Sequence, residues 1–197
     1  MQEELMRMAK QLEGKRVAFL FTEGAEQIEV TEPLKAVKDA GADIEIVSLD
    51  AGEVQMFHHL DKGDTITADR AVADASSSEY DALVVPGGVA NPDALRADED
   101  AVAFVRGFFQ EDKPVGIICH GPWVLVEADV ARGRRVTSWQ SLKTDLRNAG
   151  AEWVDEEVVV DNGLVTSRKP DDLPVFCSKI VEEFVEGRHE QRIGAAR

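Results

Sequence analysis

The chain reads as an α/β protein with a mainly parallel sheet covered by helices on both faces. Three observations carry that reading. Apolar runs of strand length alternate with longer segments of helical spacing. Runs such as Leu83-Val84-Val85 are apolar throughout, as strands covered on both faces are. A length of 197 residues with 44% hydrophobic content suits one domain with a sizeable core.

In chain order, Leu5, Met8 and Leu12 have helical spacing and predict a leading helix before Gly14. Arg16 to Phe21 reads as a buried strand, Glu29 to Ala40 as a helix closed at Gly41, and Asp43 to Leu49 as a strand. The stretch to Ala75 holds His58-His59, a turn at Asp61-Lys62-Gly63-Asp64, and an edge strand or hairpin at Thr65-Ile66-Thr67. Tyr80 to Val85 is a buried strand that runs into Pro86-Gly87-Gly88, and Asp98 to Gln110 is a helix. Pro114 to Cys119 is the next strand, followed by an elbow helix over Gly121 to Ala131. Arg135 to Ser138 reads as a short strand and Leu142 to Asn148 as a helix closed near Gly150. Asn162-Gly163 joins two β-branched runs into a hairpin, and Asp171 to Glu186 is the last helix. The expected organisation is a helical extension over 1–14, one domain over 15–187 and a polar tail over 188–197.

Ligands of such sheets bind beyond the carboxyl ends of the strands. Cys119 falls at one such end, where strand meets helix, with Gly121 two places on so that the two elements can pack closely. Backbone N–H groups at that junction favour a thiolate, and His120 supplies an adjacent imidazole. Gly87 and Gly88 end another strand; with the N–H of His120 they could form an oxyanion hole. Glu26 and Glu29 follow the first strand. Glu29 reads as a solvated first-turn residue, whereas Glu26, nearer the strand end, is either solvated or within reach of Cys119 as a proton donor or acceptor. Trp123 either walls the pocket or belongs to the core. Cys177, at helical spacing from Leu173 and Ile180, reads as core. His58-His59 lacks ligand spacing and reads as solvent-facing loop; no metal or cofactor is expected.

The formal charge is −16, from 38 acidic and 22 basic residues, with no basic run. Stable binding to a nucleic-acid backbone is therefore disfavoured. Two cysteines are too few for a disulfide-stapled secreted fold, and neither a signal peptide nor a membrane span is apparent. A cytoplasmic location is the expectation.

Together, Glu23-Gly24-Ala25-Glu26-Gln27-Ile28-Glu29, Leu83-Val84-Val85-Pro86-Gly87-Gly88, Ile118-Cys119-His120-Gly121-Pro122, Gly150-Ala151-Glu152-Trp153-Val154-Asp155 and Ser167-Arg168-Lys169-Pro170-Asp171-Asp172-Leu173 make the chain resemble the ThiJ/PfpI superfamily. Within it the chain resembles the PfpI-type intracellular proteases and general stress proteins. The resemblance implies a flavodoxin-like three-layer sandwich with a nucleophile elbow. It implies Cys119 as nucleophile, His120 as its partner, Glu26 as the carboxyl on the sulfur, and an oxyanion site at Gly87, Gly88 and the His120 N–H. It further implies a homo-oligomer, dimer or hexamer, in which Asp93 matches an acid that reaches a neighbouring subunit's site. Amidotransferase relatives draw a histidine from far downstream; here only His189 follows, in the polar tail, so amidotransfer is disfavoured.

The expected function is that of a cofactor-independent, stress-response cysteine hydrolase. Its substrates would be small dicarbonyls or dicarbonyl adducts on proteins or peptides. The alternatives are an intracellular cysteine peptidase and a non-enzymatic redox sensor or chaperone with an oxidisable Cys119.

Overall fold

The computed structural model describes residues 11–188. In chain order its elements are β1 (Arg16–Leu20), α1 (Gln27–Asp39), β2 (Asp43–Ser48), β3 (Gly52–His58), β4 (Asp61–Ala68), β5 (Arg70–Ala71) and β6 (Ala82–Val85). There follow α2 (Ala90–Arg96), α3 (Glu99–Gln110), β7 (Val115–Ile118), α4 (Trp123–Glu127), β8 (Arg135–Val136), α5 (Lys143–Asn148), β9 (Glu152–Trp153), β10 (Val158–Asp161), β11 (Leu164–Ser167) and α6 (Leu173–Glu186).

Seven strands form the middle layer in the order β10-β11-β7-β6-β1-β2-β5. All neighbours pair parallel except β10 and β11, whose hairpin turns at Asn162-Gly163. The period-two alternation of strand side chains divides the core in two. Ala18 and Leu20 of β1 point to one face, with Phe104, Phe108 and Leu125 of the α3 and α4 layer. Val17 and Phe19 point to the other, with Val30 and Val37 of α1 and Phe176 and Ile180 of α6. This is the expected flavodoxin-like three-layer sandwich.

β3 and β4 form a separate antiparallel hairpin, longer than the edge strand expected around Thr65–Thr67. It is fastened to the start of α1 by Gln27, which donates to Asp64 Oδ2 and accepts from the Asp64 N–H, each at 2.7 Å. The elbow helix is shorter than expected, five residues from Trp123 rather than a run from Gly121 to Ala131. Residues 119–122 are taken up by the turn itself. The expected leading helix lies almost wholly outside the described residues. Of it, Leu12 is visible, fully buried and bonded through its N–H to Ala40 O. Of the expected tail over 188–197, everything after Arg188, His189 included, likewise lies outside the described residues. Among the described residues no helix is long and apolar enough to cross a membrane.

Candidate active site

Four strand ends converge on Cys119. β7 delivers the cysteine, β6 the Pro86-Gly87-Gly88 turn, β1 the loop leading to Glu26 and Glu29, and β11 the segment Ser167–Pro170. Cys119 itself has φ 63°, a left-handed conformation that a side-chain-bearing residue adopts only under constraint. The constraint is visible on both sides. Its N–H donates to Ser167 O at 3.0 Å, and its carbonyl accepts from the Trp139 N–H at 2.8 Å. Gly121 completes the elbow: a Cβ there would lie 2.9 Å from Ile118 O and 3.1 Å from Pro86 O.

The sulfur is almost closed off, with Cys119 7% exposed. His120 Nδ1 lies 3.3 Å from Sγ. The far nitrogen of the ring, Nε2, faces Ser141 Oγ at 3.5 Å. Trp139 stacks on the His120 ring at 5.8 Å between centroids, and Trp123 meets it edge-on at 5.6 Å. Burial lowers the His120 pKa, so the imidazole is neutral at pH 7 and able to take a proton.

The carboxyl on the sulfur is Glu29, one helical turn beyond the expected Glu26. Glu29 is fully buried, not solvated. Its Oε2 accepts from the Gly87 N–H at 2.9 Å, and across Gly87 the carboxyl lies beside Cys119, near enough for each to act on the other's pKa. Oε1 is buried with no hydrogen-bond partner among the described residues, which leaves it as the oxygen to carry a proton. Burial pushes the Glu29 pKa up to about 8, against the smaller opposing pull of Cys119 and of the Gly87 hydrogen bond. Glu26 is placed differently. It precedes the first turn of α1, and its Oε2 accepts from the His59 N–H at 2.9 Å. It borders the Cys119 pocket without being the group on the sulfur.

Burial raises the Cys119 pKa, and a charged Glu29 raises it further; the N–H groups of His120 and Gly88 pull it down. Below about pH 8 Glu29 holds its proton, so the second cause is absent and a carboxyl O–H replaces the negative charge beside the sulfur. The thiolate expected at a helix terminus is therefore not the resting form: burial outweighs the His120 and Gly88 N–H groups, and only five helical residues follow, so Cys119 rests as a thiol.

The glycine turn also divides its labour. The Gly87 N–H is engaged by Glu29 and is not free for an oxyanion; the donors beside the sulfur are the N–H groups of Gly88 and His120. A Cβ at residue 87 would lie 2.5 Å from Glu29 Oε2 and 2.6 Å from Cys119 Cβ, so only glycine leaves room there. Gly88, at φ 77°, has its own exclusion: a Cβ would lie 2.2 Å from Gly24 O. Asn91, fully buried, ties the turn to the first-strand loop. Its Oδ1 accepts from the Thr22 N–H at 2.8 Å, and its Nδ2 donates to Pro86 O and Gly87 O at 3.0 Å.

The pocket over the sulfur has a volume of about 300 Å³. Its outer wall is Trp139 with Leu60, Val89, His59 and Pro170. Trp123 is not on that wall; its Nε1 donates to Asp145 Oδ2 at 2.7 Å, below His120. Asp93 sits exposed in the first turn of α2 and does not border the pocket within this chain. His58 and His59 are exposed at the β3–β4 turn, as expected. Cys177 is half-buried and packs against the core layer of α1 and α6, as expected, at the edge of a groove between those helices. Sequence reasoning missed Glu29, Asn91, Trp139 and Ser141. For Glu29 a signal existed: it lies on the same helix face as Val30, Pro33 and Val37, which are buried.

The family model described as the DJ-1/PfpI family matches residues 15–183. General stress protein 18 of Bacillus subtilis is 43% identical over 168 residues, covering 83% of this chain and 94% of that protein. Protein/nucleic acid deglycase 2 of Escherichia coli is 43% identical over 165 residues, again covering 83% and 94%. The crystal structure of Drosophila melanogaster DJ-1beta superposes with a TM-score of 0.79 at 28% identity, covering 87% of this chain and 90% of that one. A buried Cys-His-Glu cluster on a strand-to-helix elbow and a match across nearly the whole described sandwich agree: this chain belongs to the DJ-1/PfpI family.

Proposed function

We infer that the protein is a stress-related hydrolase whose Cys119 attacks small dicarbonyls or early dicarbonyl adducts on amines and thiols. The observation that carries this reading is the Cys119–Glu29 pair: a buried thiol beside a carboxyl that keeps its proton up to about pH 8. Names of relatives, a general stress protein and a deglycase among them, point the same way.

With methylglyoxal, Sγ adds to the aldehyde carbon and its proton passes to His120 Nδ1. The oxygen becomes an alkoxide held by the Gly88 and His120 N–H groups, which then takes a proton to give a hemithioacetal. The proton the alkoxide takes comes from Glu29, which is left as a carboxylate; that carboxylate removes the proton on the former aldehyde carbon and returns it to the neighbouring carbon, giving a lactoyl thioester. Water then releases lactate and restores the thiol. The sum is one dicarbonyl plus one water giving one lactate; an adduct gives lactate and the free amine or thiol. Glu26, at the pocket edge, is the second carboxyl available to move protons. Asp93 belongs to the proposal only in trans, as an acid offered by a neighbouring copy of a homo-oligomer. The expected setting is the cytoplasm.

A second reading, peptide-bond hydrolysis, rests on the 3.3 Å contact between Cys119 Sγ and His120 Nδ1, the pairing a cysteine peptidase needs. The test is lactate formation from methylglyoxal followed by NMR, wild type against Cys119→Ala. Lactate from the wild type alone supports the first reading. No lactate from either, with Cys119-dependent cleavage of unfolded protein, favours the second.

A further inference from the structure

The pocket over Cys119 is sorted by polarity. Its floor carries the polar groups: the Cys119 sulfur, the His120 ring, the Glu29 carboxyl and the Gly88 N–H. Its rim is apolar. Leu60, Val89 and Trp139 border it, and they are three of the six exposed large apolar side chains among the described residues. Leu60 is 93% exposed and Val89 57%. Single apolar groups scattered on a surface need no explanation, but three around one opening do.

The three come from separate segments, and none of them packs in either core layer. Each backbone is nevertheless held in place. Leu60 follows His59, whose N–H is bound by Glu26 Oε2 at 2.9 Å. Val89 follows Gly88, whose φ of 77° and close approach to Gly24 O fix the turn. Trp139 donates its own N–H to Cys119 O at 2.8 Å and stacks its ring on His120. A pinned backbone carrying uncovered apolar groups is the build of a ligand wall. Charge narrows what the ligand can carry. No lysine or arginine borders the pocket, so a carboxylate or phosphate on the substrate would meet no such cation and would face the Glu26 carboxyl. Size points the same way: a three-carbon dicarbonyl fills little of a pocket of about 300 Å³.

We propose that Leu60, Val89 and Trp139 are the specificity-determining residues of the pocket, and that they select α-oxoaldehydes whose second carbonyl bears an uncharged apolar group, an aryl group above all. The chemistry of this inference rests on the dicarbonyl reading above; the binding does not. The aldehyde carbon sits on Sγ with its oxygen toward the Gly88 and His120 N–H groups. The substituent then points outward, where Trp139 offers it a ring and Leu60 and Val89 offer aliphatic contact. The bonds made and broken are those given for methylglyoxal. Phenylglyoxal plus water gives mandelate, and no oxidant or reductant is consumed.

The test compares methylglyoxal, phenylglyoxal and para-carboxyphenylglyoxal, with the hydroxy acids formed followed by NMR. Phenylglyoxal is expected to exceed its carboxylated analogue by about tenfold in kcat/KM, because the two share the ring and differ by one carboxylate. In Leu60→Ser and in Val89→Ser the ratio of phenylglyoxal to methylglyoxal kcat/KM is expected to fall by about three- to tenfold. Both substitutions fall on exposed side chains, and a ratio taken within one variant cancels any loss common to the two substrates. Binding without turnover is read in Cys119→Ala by ligand-observed NMR with two diketones that lack an aldehyde, phenyl methyl diketone and dimethyl diketone. The phenyl compound is expected to bind about tenfold more tightly. Tighter binding of the phenyl compound, lost when Leu60→Ser is added, with no hydroxy acid from any oxoaldehyde, would sustain the rim as a binding site and defeat the dicarbonyl reading. Turnover of methylglyoxal, with phenylglyoxal no better than its carboxylated analogue and a ratio unmoved by either rim variant, would overturn the rim and leave that reading standing. So would an oligomer that Leu60→Ser dissociates while the substrate ratio stays unchanged, since Leu60 would then belong to an interface with a second copy.

Discussion

The molecule has two cysteines, both buried enough to be pushed up, and they live in different chemistries. Cys177 sits inside α6 beside the α1 groove, where burial and then the Glu32 charge push its thiol up to about 12. Cys119 is raised by the same two kinds of cause, burial and a glutamate. What separates them is what stands opposite. Cys119 has an imidazole at 3.3 Å, two backbone N–H groups on its sulfur, and a glutamate buried deeply enough to stay protonated. Glu32 is exposed and offers Cys177 only a charge. Burial makes a thiol inert; burial together with a neutral carboxyl and a base gives it a use.

The strongest way to break this comparison is to delete each thiol. Cys119→Ala is expected to lower dicarbonyl turnover by about three orders of magnitude or more, and Cys177→Ala to leave it within a small factor, read as lactate production. Equal effects would erase the distinction.

Glu29→Gln comes next, with turnover lowered by about 10²–10⁴ in the same assay. The variant also sharpens the account of burial. In the unfolded chain Glu29 ionises near its ordinary 4.5, whereas in the folded chain it does so near 8. Between those values the unfolded state binds fewer protons, so stability falls as pH rises through that window and is fully present below it. The full shift corresponds to a loss on the order of 5 kcal/mol. Urea unfolding of the wild type should weaken from pH 5 to pH 8, and Glu29→Gln should flatten that slope.

Gly87→Ala follows. Its Cβ would meet Glu29 Oε2 at 2.5 Å and Cys119 Cβ at 2.6 Å, so a destabilisation of about 1–3 kcal/mol is expected together with a loss of turnover. A fully active variant would show that the Gly87–Glu29–Cys119 contact is dispensable. The smallest effect is expected from Trp123→Phe. It removes the Nε1 bond to Asp145 and costs about 1 kcal/mol, with turnover nearly kept because Trp139 still stacks on His120.

Much of the sandwich was legible because its strands are apolar throughout and its turns carry glycine and proline. Cys119 was legible from Gly121 and the apolar run before it. Glu29 was not, because a carboxylate in a first helical turn is ordinarily solvated, and helical periodicity shows facing without showing depth. The short elbow helix escaped for a related reason: Trp123 to Ala131 is apolar enough to continue, and what stops it is the turn beginning at Ala128. Trp139, Ser141 and Asn91 lie far from Cys119 or in short irregular segments. They reach the site through backbone paths that no local pattern encodes, such as the Trp139 N–H on the Cys119 carbonyl.

The left-handed backbone at Cys119 has one more consequence. It is held from Ser167 on one side and Trp139 on the other, so the thiol's surroundings are assembled from segments that separate as soon as the sandwich opens. An unfolded chain carries two ordinary, interchangeable sulfhydryls; a folded one carries two that a reagent can tell apart. The ratio at which an alkylating probe marks residues 119 and 177, read peptide by peptide, is therefore a clock for the opening of the native state.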